Sequence, residues 1–167
     1  VSVSANVYQY RVIRNKDASV TWNQKVVDQM FQGELAYIGD QMIRLSKCES
    51  GEKDTEIGRT LGYCLDAFNM YPSTSYGVSG KEHDVHHMVA EFRDYLENLQ
   101  SDETLWKNAK SGDLDRLHDA WSEVLTQIDK GKKARVAAAS KVRQILEECA
   151  AVDTSGRYDN AENWYQC

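Results

Sequence analysis

The amino-acid sequence predicts an all-α fold, a single-domain bundle of about five amphipathic helices. Three observations lead to this prediction. Apolar residues recur at intervals of three and four along five segments, which is the spacing of one helix face. Only one proline, Pro72, occurs in 167 residues, and proline is excluded from helix interiors. Most connections between the segments are short, which favours one shared core.

The first predicted helix has the clearest pattern. Thr21 and Gln24 form a capping box, in which the two side chains satisfy free backbone N–H groups, so the helix is expected to begin there. It is expected to end near Cys48. Gly33 and Gly39 lie inside it and indicate either close approach of a neighbouring backbone or a kink. Its apolar face consists of Val27, Phe31, Leu35, Ile38, Met42 and Leu45.

The next two predicted helices flank the longest internal loop. Helix two begins at Asp54 or Thr55 and stops before Pro72, because the residue preceding a proline disfavours helical geometry. Helix three covers about 82–99. The loop between them, residues 72–81, exceeds the usual length of a helix connection, and long surface loops often carry function.

Three further helical segments follow helix three. A short helix begins after a cap formed by Ser101 and Asp102. Helix four begins at Asp113 and ends at Gly131, and helix five covers about 132–150. Apolar residues at steps of three and four along helix four indicate a face that packs in the bundle: Leu114, Leu117, Trp121, Val124 and Ile128.

The two ends of the chain are predicted to lie outside the bundle. Residues 1–18 open with apolar residues at alternate positions, so we expect an extended N-terminal arm that packs on the body. The bundle itself covers residues 19–150, and a polar tail covers 151–167. Because no repeat, low-complexity segment or linker divides the chain, residues 1–167 are expected to form one domain.

Charge and length exclude several classes of protein. A net charge of -6 and an isoelectric point near 5.2 argue against a nucleic-acid binder, which needs a basic face to displace counterions. No apolar run reaches the roughly 18–20 residues of a membrane span. The chain begins with Val1, as a mature protein without its signal peptide does. We therefore expect a secreted or periplasmic protein.

The four cysteines predict two disulfides. Cys167 ends a polar tail, where core packing does not explain a cysteine. Cys48 and Cys64 are expected at similar depths of an antiparallel hairpin, so we expect a Cys48–Cys64 bridge. A Cys149–Cys167 bridge then follows by elimination and holds the tail. Such bridges indicate an oxidising compartment. Free buried thiols are the alternative, since cysteine is among the most buried residue types.

A row of polar residues on helix three is the strongest candidate metal site. His83, His87 and Glu91 are four residues apart, which places three ligands for zinc or copper on one helix face. The row lies opposite the apolar residues of the same helix, so we expect a solvent-facing, pH-sensitive surface without a metal. Since the sequence contains no cofactor or catalytic motif, we expect no cofactor, no catalytic residue and no enzyme activity.

The surface best suited to binding is the 72–81 loop with the adjoining start of helix three. Its candidate contact residues are Tyr76, His83 and His87. The function expected is binding of another protein without catalysis, because the inward positions of the helices are apolar. In a short basic run, Lys130 suits the C-terminal end of the helix dipole, and the rest is interpreted as solvated loop: Lys132, Lys133 and Arg135.

In size, helical content and cysteines compatible with disulfides, the chain resembles the small periplasmic immunity proteins that protect bacteria from secreted cell-wall toxins. The resemblance implies an inhibitor-like role and assigns no site residue. One alternative is a structural subunit of an extracellular filament or shell, assembled through aromatic residues in its terminal arms. Another is a bundle that binds a metal or a small ligand, which the histidine row and four methionines favour.

Overall fold

The computed structural model describes residues 3–78 and 84–150, and it describes side chains for 21–77 and 84–149. Within these ranges the regular structure is entirely helical, so the all-α fold class is confirmed. None of the described helices combines the length and the apolar character needed to cross a membrane. The elements are α1 (Val3–Lys47), α2 (Lys53–Met70), a 3₁₀ turn (Tyr71–Ser73), α3 (Ser75–Val78), α4 (Asp84–Ser101), α5 (Glu103–Asn108), a π-type turn (Ala109–Asp113), α6 (Leu114–Gln127) and α7 (Lys132–Ala150).

The five long helices form a closed ring around one core. α1 packs on α2 and α6, α4 packs on α2 and α7, and α6 packs on α7, so each long helix has two neighbours. A single hydrophobic cluster draws residues from all five. This is the bundle that five amphipathic faces predict, because each apolar face is buried only when the others surround it.

The inward face of α1 lies at the centre of this core. Its apolar residues from Phe31 to Leu45 are fully buried, as their spacing predicts. Trp121 of α6 packs against them and donates its indole N–H to the carbonyl oxygen of Leu35 at 2.8 Å, so burial leaves no unpaired donor. A Cβ on Gly39 would lie 3.5 Å from the Trp121 ring. The close approach predicted at Gly39 is therefore made by a side chain and not by a neighbouring backbone.

The N-terminal arm predicted over residues 1–18 is helical and not extended from Val3 onward, and residues 1–2 lie outside the described part of the chain. α1 begins at Val3 and is 45 residues long, about 67 Å at 1.5 Å per residue. The described residues contain no strand with which an extended arm could pair. Neither glycine nor proline occurs before Gly33, so nothing in the sequence stops the helix from propagating toward the N-terminus.

The capping box predicted at Thr21 and Gln24 does not start a helix, since both residues lie inside α1. Gln24 uses its side chain for one tertiary hydrogen bond and one within α1 instead. Its Nε2 donates to the carbonyl oxygen of Ser73 at 2.8 Å and to Oδ1 of Asp28 at 3.3 Å. A capping box is a local pattern, and here the longer run of helix-compatible residues outweighs it.

The helix ends predicted later in the chain agree better with the structure. Asp102 caps α5, because its Oδ1 accepts from the N–H groups of Thr104 at 2.8 Å and Leu105 at 2.9 Å. Gly112, with φ of 142°, lies in the turn before α6, and Gly131, with φ of 100°, lies before α7. Only glycine adopts such backbone angles without strain, so these two connections are encoded locally.

Candidate functional site

The loop predicted to bind a partner is largely ordered local structure. Residues 71–78 form the 3₁₀ turn and the four-residue helix α3, and residues 79–83 lie outside the described part of the chain. Thr74 is fully buried, and its hydroxyl donates to the carbonyl oxygen of Tyr71 at 2.6 Å. The backbone N–H of Gly77 donates to the same hydroxyl at 3.1 Å. These bonds fold the segment on itself and bring its aromatic side chains toward the bundle.

Helix α1 holds the 71–78 segment from one side. Oδ1 of Asp28 accepts from the backbone N–H of Ser75 at 2.7 Å, and Oδ2 accepts from the Ser75 hydroxyl at 2.6 Å. The carboxylate thus lies at the first residue of α3 and satisfies an N–H group that the short helix leaves free.

Tyr76, the first predicted contact residue, is buried within this segment. Only 7% of it is exposed, and its hydroxyl donates to Oδ1 of Asp129 at 2.5 Å while accepting from Nε2 of Gln32 at 2.7 Å. Burial, together with the hydrogen bond to Asp129, raises the pKa of the Tyr76 hydroxyl. The structure therefore places Tyr76 in a packing role and not on an accessible surface.

A buried ion pair lies beside Tyr76. Nε of Arg135, on α7, donates to Oδ2 of Asp84, on α4, at 3.0 Å, and both side chains are nine-tenths or more buried. The Arg135 guanidinium lies 5.1 Å from the centre of the Tyr76 ring, and the Tyr71 hydroxyl donates to Oδ1 of Asp84 at 3.3 Å. The interpretation of Arg135 as part of a solvated basic loop is therefore wrong.

We call six of these residues the polar clamp: Asp28, Tyr71, Tyr76, Asp84, Asp129 and Arg135. It joins α1, α4, α7 and the connection after α6 through the 71–78 segment. Burial raises the pKa of the Tyr71 hydroxyl, with the nearby Asp84 charge adding to the effect, so the clamp tyrosines stay neutral at neutral pH. Chemically, the clamp holds one ion pair, Asp84 with Arg135, satisfies the carboxylates of Asp28 and Asp129 by hydrogen bonds from neutral groups, and positions a connection.

The histidine row does not lie on one solvent-facing surface. His83 is outside the described residues, and His87 is half-buried. Glu91 is fully buried, and its two oxygens accept from Nε of Arg143 at 2.8 and 2.9 Å. The expectation that Glu91 faces solvent is therefore wrong, because Arg143 brings the compensating charge across from α7. Among the described residues, no group of three or more His, Cys, Asp or Glu side chains has a geometry suited to a metal ion.

The described cysteines are free thiols, so the predicted Cys48–Cys64 bridge is absent. Cys48 follows the last residue of α1, whereas Cys64 lies eleven residues after Lys53, the start of α2. At 1.5 Å per residue this separates their depths in the hairpin by about 16 Å, and a disulfide needs Cα atoms about 4–7 Å apart. Cys149 is also free, and its predicted partner Cys167 lies outside the described residues.

The thiols are held in their neutral form. Burial raises the pKa of Cys64 to about 12. The pKa of Cys149 is also raised to about 12, first by burial and then by the charge of Asp113. Burial also raises the pKa of Cys48. A thiolate is the reactive form of cysteine, so these three residues behave as packing groups.

Among the described side chains, three of the most exposed large apolar residues lie on α1, opposite its core face. Trp22, Met30 and Tyr37 are 67%, 55% and 53% exposed, although each is a large apolar side chain. Tyr37 stacks on Tyr63 of α2 with ring centres 5.4 Å apart. We call this side the outward face of α1 and define it by Trp22, Lys25, Val26, Met30, Gly33, Tyr37, Asp40 and Arg44.

The signal for the outward face is present in the sequence. Trp22, Val26, Met30, Gly33 and Tyr37 follow one another at steps of four, four, three and four, a second helical stripe beside the one that marks the core. A helix with two apolar stripes has a buried side and a side available to a partner, and only the tertiary structure shows which is which.

No protein-family model matches the chain, and no solved structure matches it significantly. The function is therefore inferred from the contacts, burial and charge of the described residues.

Proposed function

We propose that this protein acts without catalysis, by binding another protein through the outward face of α1. The observation that carries the proposal is the contrast between the two sides of one helix. From Phe31 to Leu45 the inward side is fully buried, while Trp22, Met30 and Tyr37 on the other side are each more than half exposed.

The composition of this face supports a role in protein binding. Tryptophan and tyrosine contribute most of the binding energy in many protein interfaces, and methionine adapts its shape to a partner. Trp22 and Tyr37 are fifteen residues apart, so the apolar side chains extend over about 22 Å of helix. Exposed apolar residues that follow one helix face are a common way for a helix to bind a partner.

The polar clamp directs the proposal away from the 72–81 loop. Tyr76 is buried there and bonded to Asp129 and Gln32, so a partner would have to unfold the segment to reach it. The free thiols also remove the disulfide-based argument for an oxidising compartment. Binding through α1 depends on neither the loop nor the compartment.

A photo-crosslinking experiment tests the proposal in the cells that make the protein. A photoreactive amino acid replaces Met30 on the outward face, and in a matched control it replaces Gln144, an exposed residue of α7. We expect a discrete protein adduct from position 30 that Trp22→Glu abolishes, and no adduct from position 144. Equal adducts from both positions, or none from position 30, would refute the proposal.

A further inference from the structure

We propose that the partner of the outward face is a second copy of this chain, and that the two α1 helices pair antiparallel about a twofold axis at Gly33. This inference rests on the proposed function, since it names the protein that the outward face binds. The evidence is the arrangement of complementary residues on either side of Gly33.

The outward face is close to symmetric in sequence about Gly33. Trp22 and Arg44 each lie eleven residues from it, which is three helical turns, so all three share one line along the helix. Lys25 precedes Gly33 by eight residues and Asp40 follows it by seven. In an antiparallel pair, Trp22 of each copy therefore lies opposite Arg44 of the other, and Lys25 lies opposite Asp40.

The residues on either side of the line through Gly33 also match those of the second copy. At 100° per residue, Lys25 and Asp40 lie on one side of the line through Gly33, whereas Met30 and Tyr37 lie on the other. A twofold axis brings each side of one helix against the same side of its partner. Met30 then faces Tyr37 of the other copy, a sulfur–aromatic contact. A parallel pairing about a twofold axis would instead bring opposite sides of the two helices together, so neither the Lys25–Asp40 pair nor the Met30–Tyr37 contact would form.

Each opposed pair is chemically complementary. An arginine guanidinium over a tryptophan ring is a favourable cation–π arrangement, and lysine with aspartate is an ion pair. Lys25, Asp40 and Arg44 are available for these contacts with a second copy, because none of them takes part in an ion pair within the described ranges. The twofold axis forms every contact twice.

Gly33 allows the two helices to approach closely. A Cβ built at Gly33 meets no heavy atom within 4 Å, so its side of the helix is open. Glycine costs up to about 1 kcal/mol in a helix interior, and packing among the described residues gives no reason for a glycine at position 33. A contact with another helix does give a reason, because two helix axes approach each other more closely where the residue at the contact is small.

The available area indicates a modest affinity. Trp22, Met30 and Tyr37 together expose on the order of 300–400 Å², about half of the roughly 800 Å² per partner in a standard interface. The aliphatic stems of Lys25 and Arg44 add to this area. Because a twofold contact uses the same face of both copies, it closes at a dimer, unlike the filament considered from the sequence.

Sedimentation equilibrium of the full chain, with reductant present and over about 2 to 200 µM, tests the pairing. We expect reversible conversion of the 19.0 kDa monomer into a species of twice that mass. Gly33→Gln should weaken association more than about tenfold by filling the crossing point, and circular dichroism should show an intact fold because position 33 is open. The matched control is Gly58→Gln on α2, an exposed glycine at which a Cβ also meets no heavy atom within 4 Å, and it should leave association unchanged.

Charge exchange tests the antiparallel geometry. Lys25→Glu should weaken association by about tenfold, because two attractive pairs per dimer become repulsive, and adding Asp40→Lys should restore it. Dimers that persist in Gly33→Gln, species larger than a dimer, or no rescue by the second exchange would each overturn the pairing. A chain that stays monomeric while position 30 crosslinks a different protein in cells overturns this inference alone. Absence of both dimer and adduct refutes the proposed function as well.

Discussion

The polar clamp and the outward face of α1 differ in how they use their large side chains. The clamp buries Tyr71 and Tyr76 and gives their hydroxyls carboxylate partners from other elements. The outward face leaves Trp22 and Met30 more than half exposed. A long connection is therefore not necessarily a binding loop, and a regular helix is not necessarily only a scaffold.

The contrast has a physical origin. The 71–78 segment contains Pro72, Thr74 and Gly77, which fold it into two short turns, and a compact segment can bury its aromatic rings. α1 is a continuous helix whose core face is already covered by α2 and α6. Its other side points away from the ring, so further apolar residues there remain exposed unless a partner covers them.

The largest expected effect comes from breaking the buried ion pair of the clamp. Arg135→Ala should lower the free energy of unfolding by about 3–5 kcal/mol, because it leaves the Asp84 carboxylate buried without its cation. Urea unfolding measures the change. Arg59→Ala, which removes an ion pair exposed on α2, is the control and should change stability by less than about 1 kcal/mol. Equal losses of unfolding free energy in the two variants would contradict the description of Asp84 and Arg135 as a buried ion pair.

The same substitution at two helical glycines should have opposite effects. A Cβ at Gly77 would overlap the carbonyl oxygen of Tyr71 and lie 3.0 Å from Cα of Pro72, so Gly77→Ala should destabilise the fold by about 1–3 kcal/mol. At Gly33 the space is open, so Gly33→Ala should stabilise by up to about 1 kcal/mol through helix propensity. Thermal unfolding of both variants measures the sign and size of the two changes in stability. A loss of stability at Gly33 would show that its surroundings are packed in the monomer.

The smallest expected effect is the contribution of the two clamp tyrosines, Tyr71 and Tyr76, to the loss of stability at alkaline pH. The pKa values of Tyr71 and Tyr76 are raised by burial, so the unfolded chain loses these protons first as pH rises past about 10. Their stabilisation is therefore complete below pH 10 and decreases above it, by roughly 1–2 kcal/mol between pH 10 and 11. The buried thiols of Cys64 and Cys149 also cause a loss of stability over the same range, so urea unfolding at pH 10 and pH 11 compares the protein with Tyr76→Phe, which should lose less stability. An equal loss in the two proteins would contradict the assignment to Tyr76.

Much of the fold was predictable because it depends on local patterns. The apolar spacing of α1 identified Phe31 through Leu45 as core, and all the apolar residues of that stripe in this span are fully buried. The cap at Asp102 and the turn at Gly131 were predictable for the same reason, since one side chain or one backbone angle determines each. The start of α1 was predicted wrongly, because a capping box at Thr21 does not reveal whether the helix continues before it.

The candidate site was less predictable, because its contacts join residues far apart in the chain. Glu91 was expected at the surface, and its burial depends on Arg143, more than fifty positions away. Arg135 was expected in a solvated loop, and its burial depends on Asp84 at a similar separation. Charged side chains are buried only with partners, and the spacing within one helix contains no information about a partner on another.

The sequence by itself determined that the protein is helical, which residues of α1 face inward, and where several of its helices end. Each of these follows from interactions within a few residues along the chain. Only the tertiary structure decided that Tyr76 is buried, that Cys48 and Cys64 lie at different depths, and that the stripe from Trp22 to Tyr37 faces outward. These depend on how five helices share one core, because burial of any one face is set by the elements that cover it.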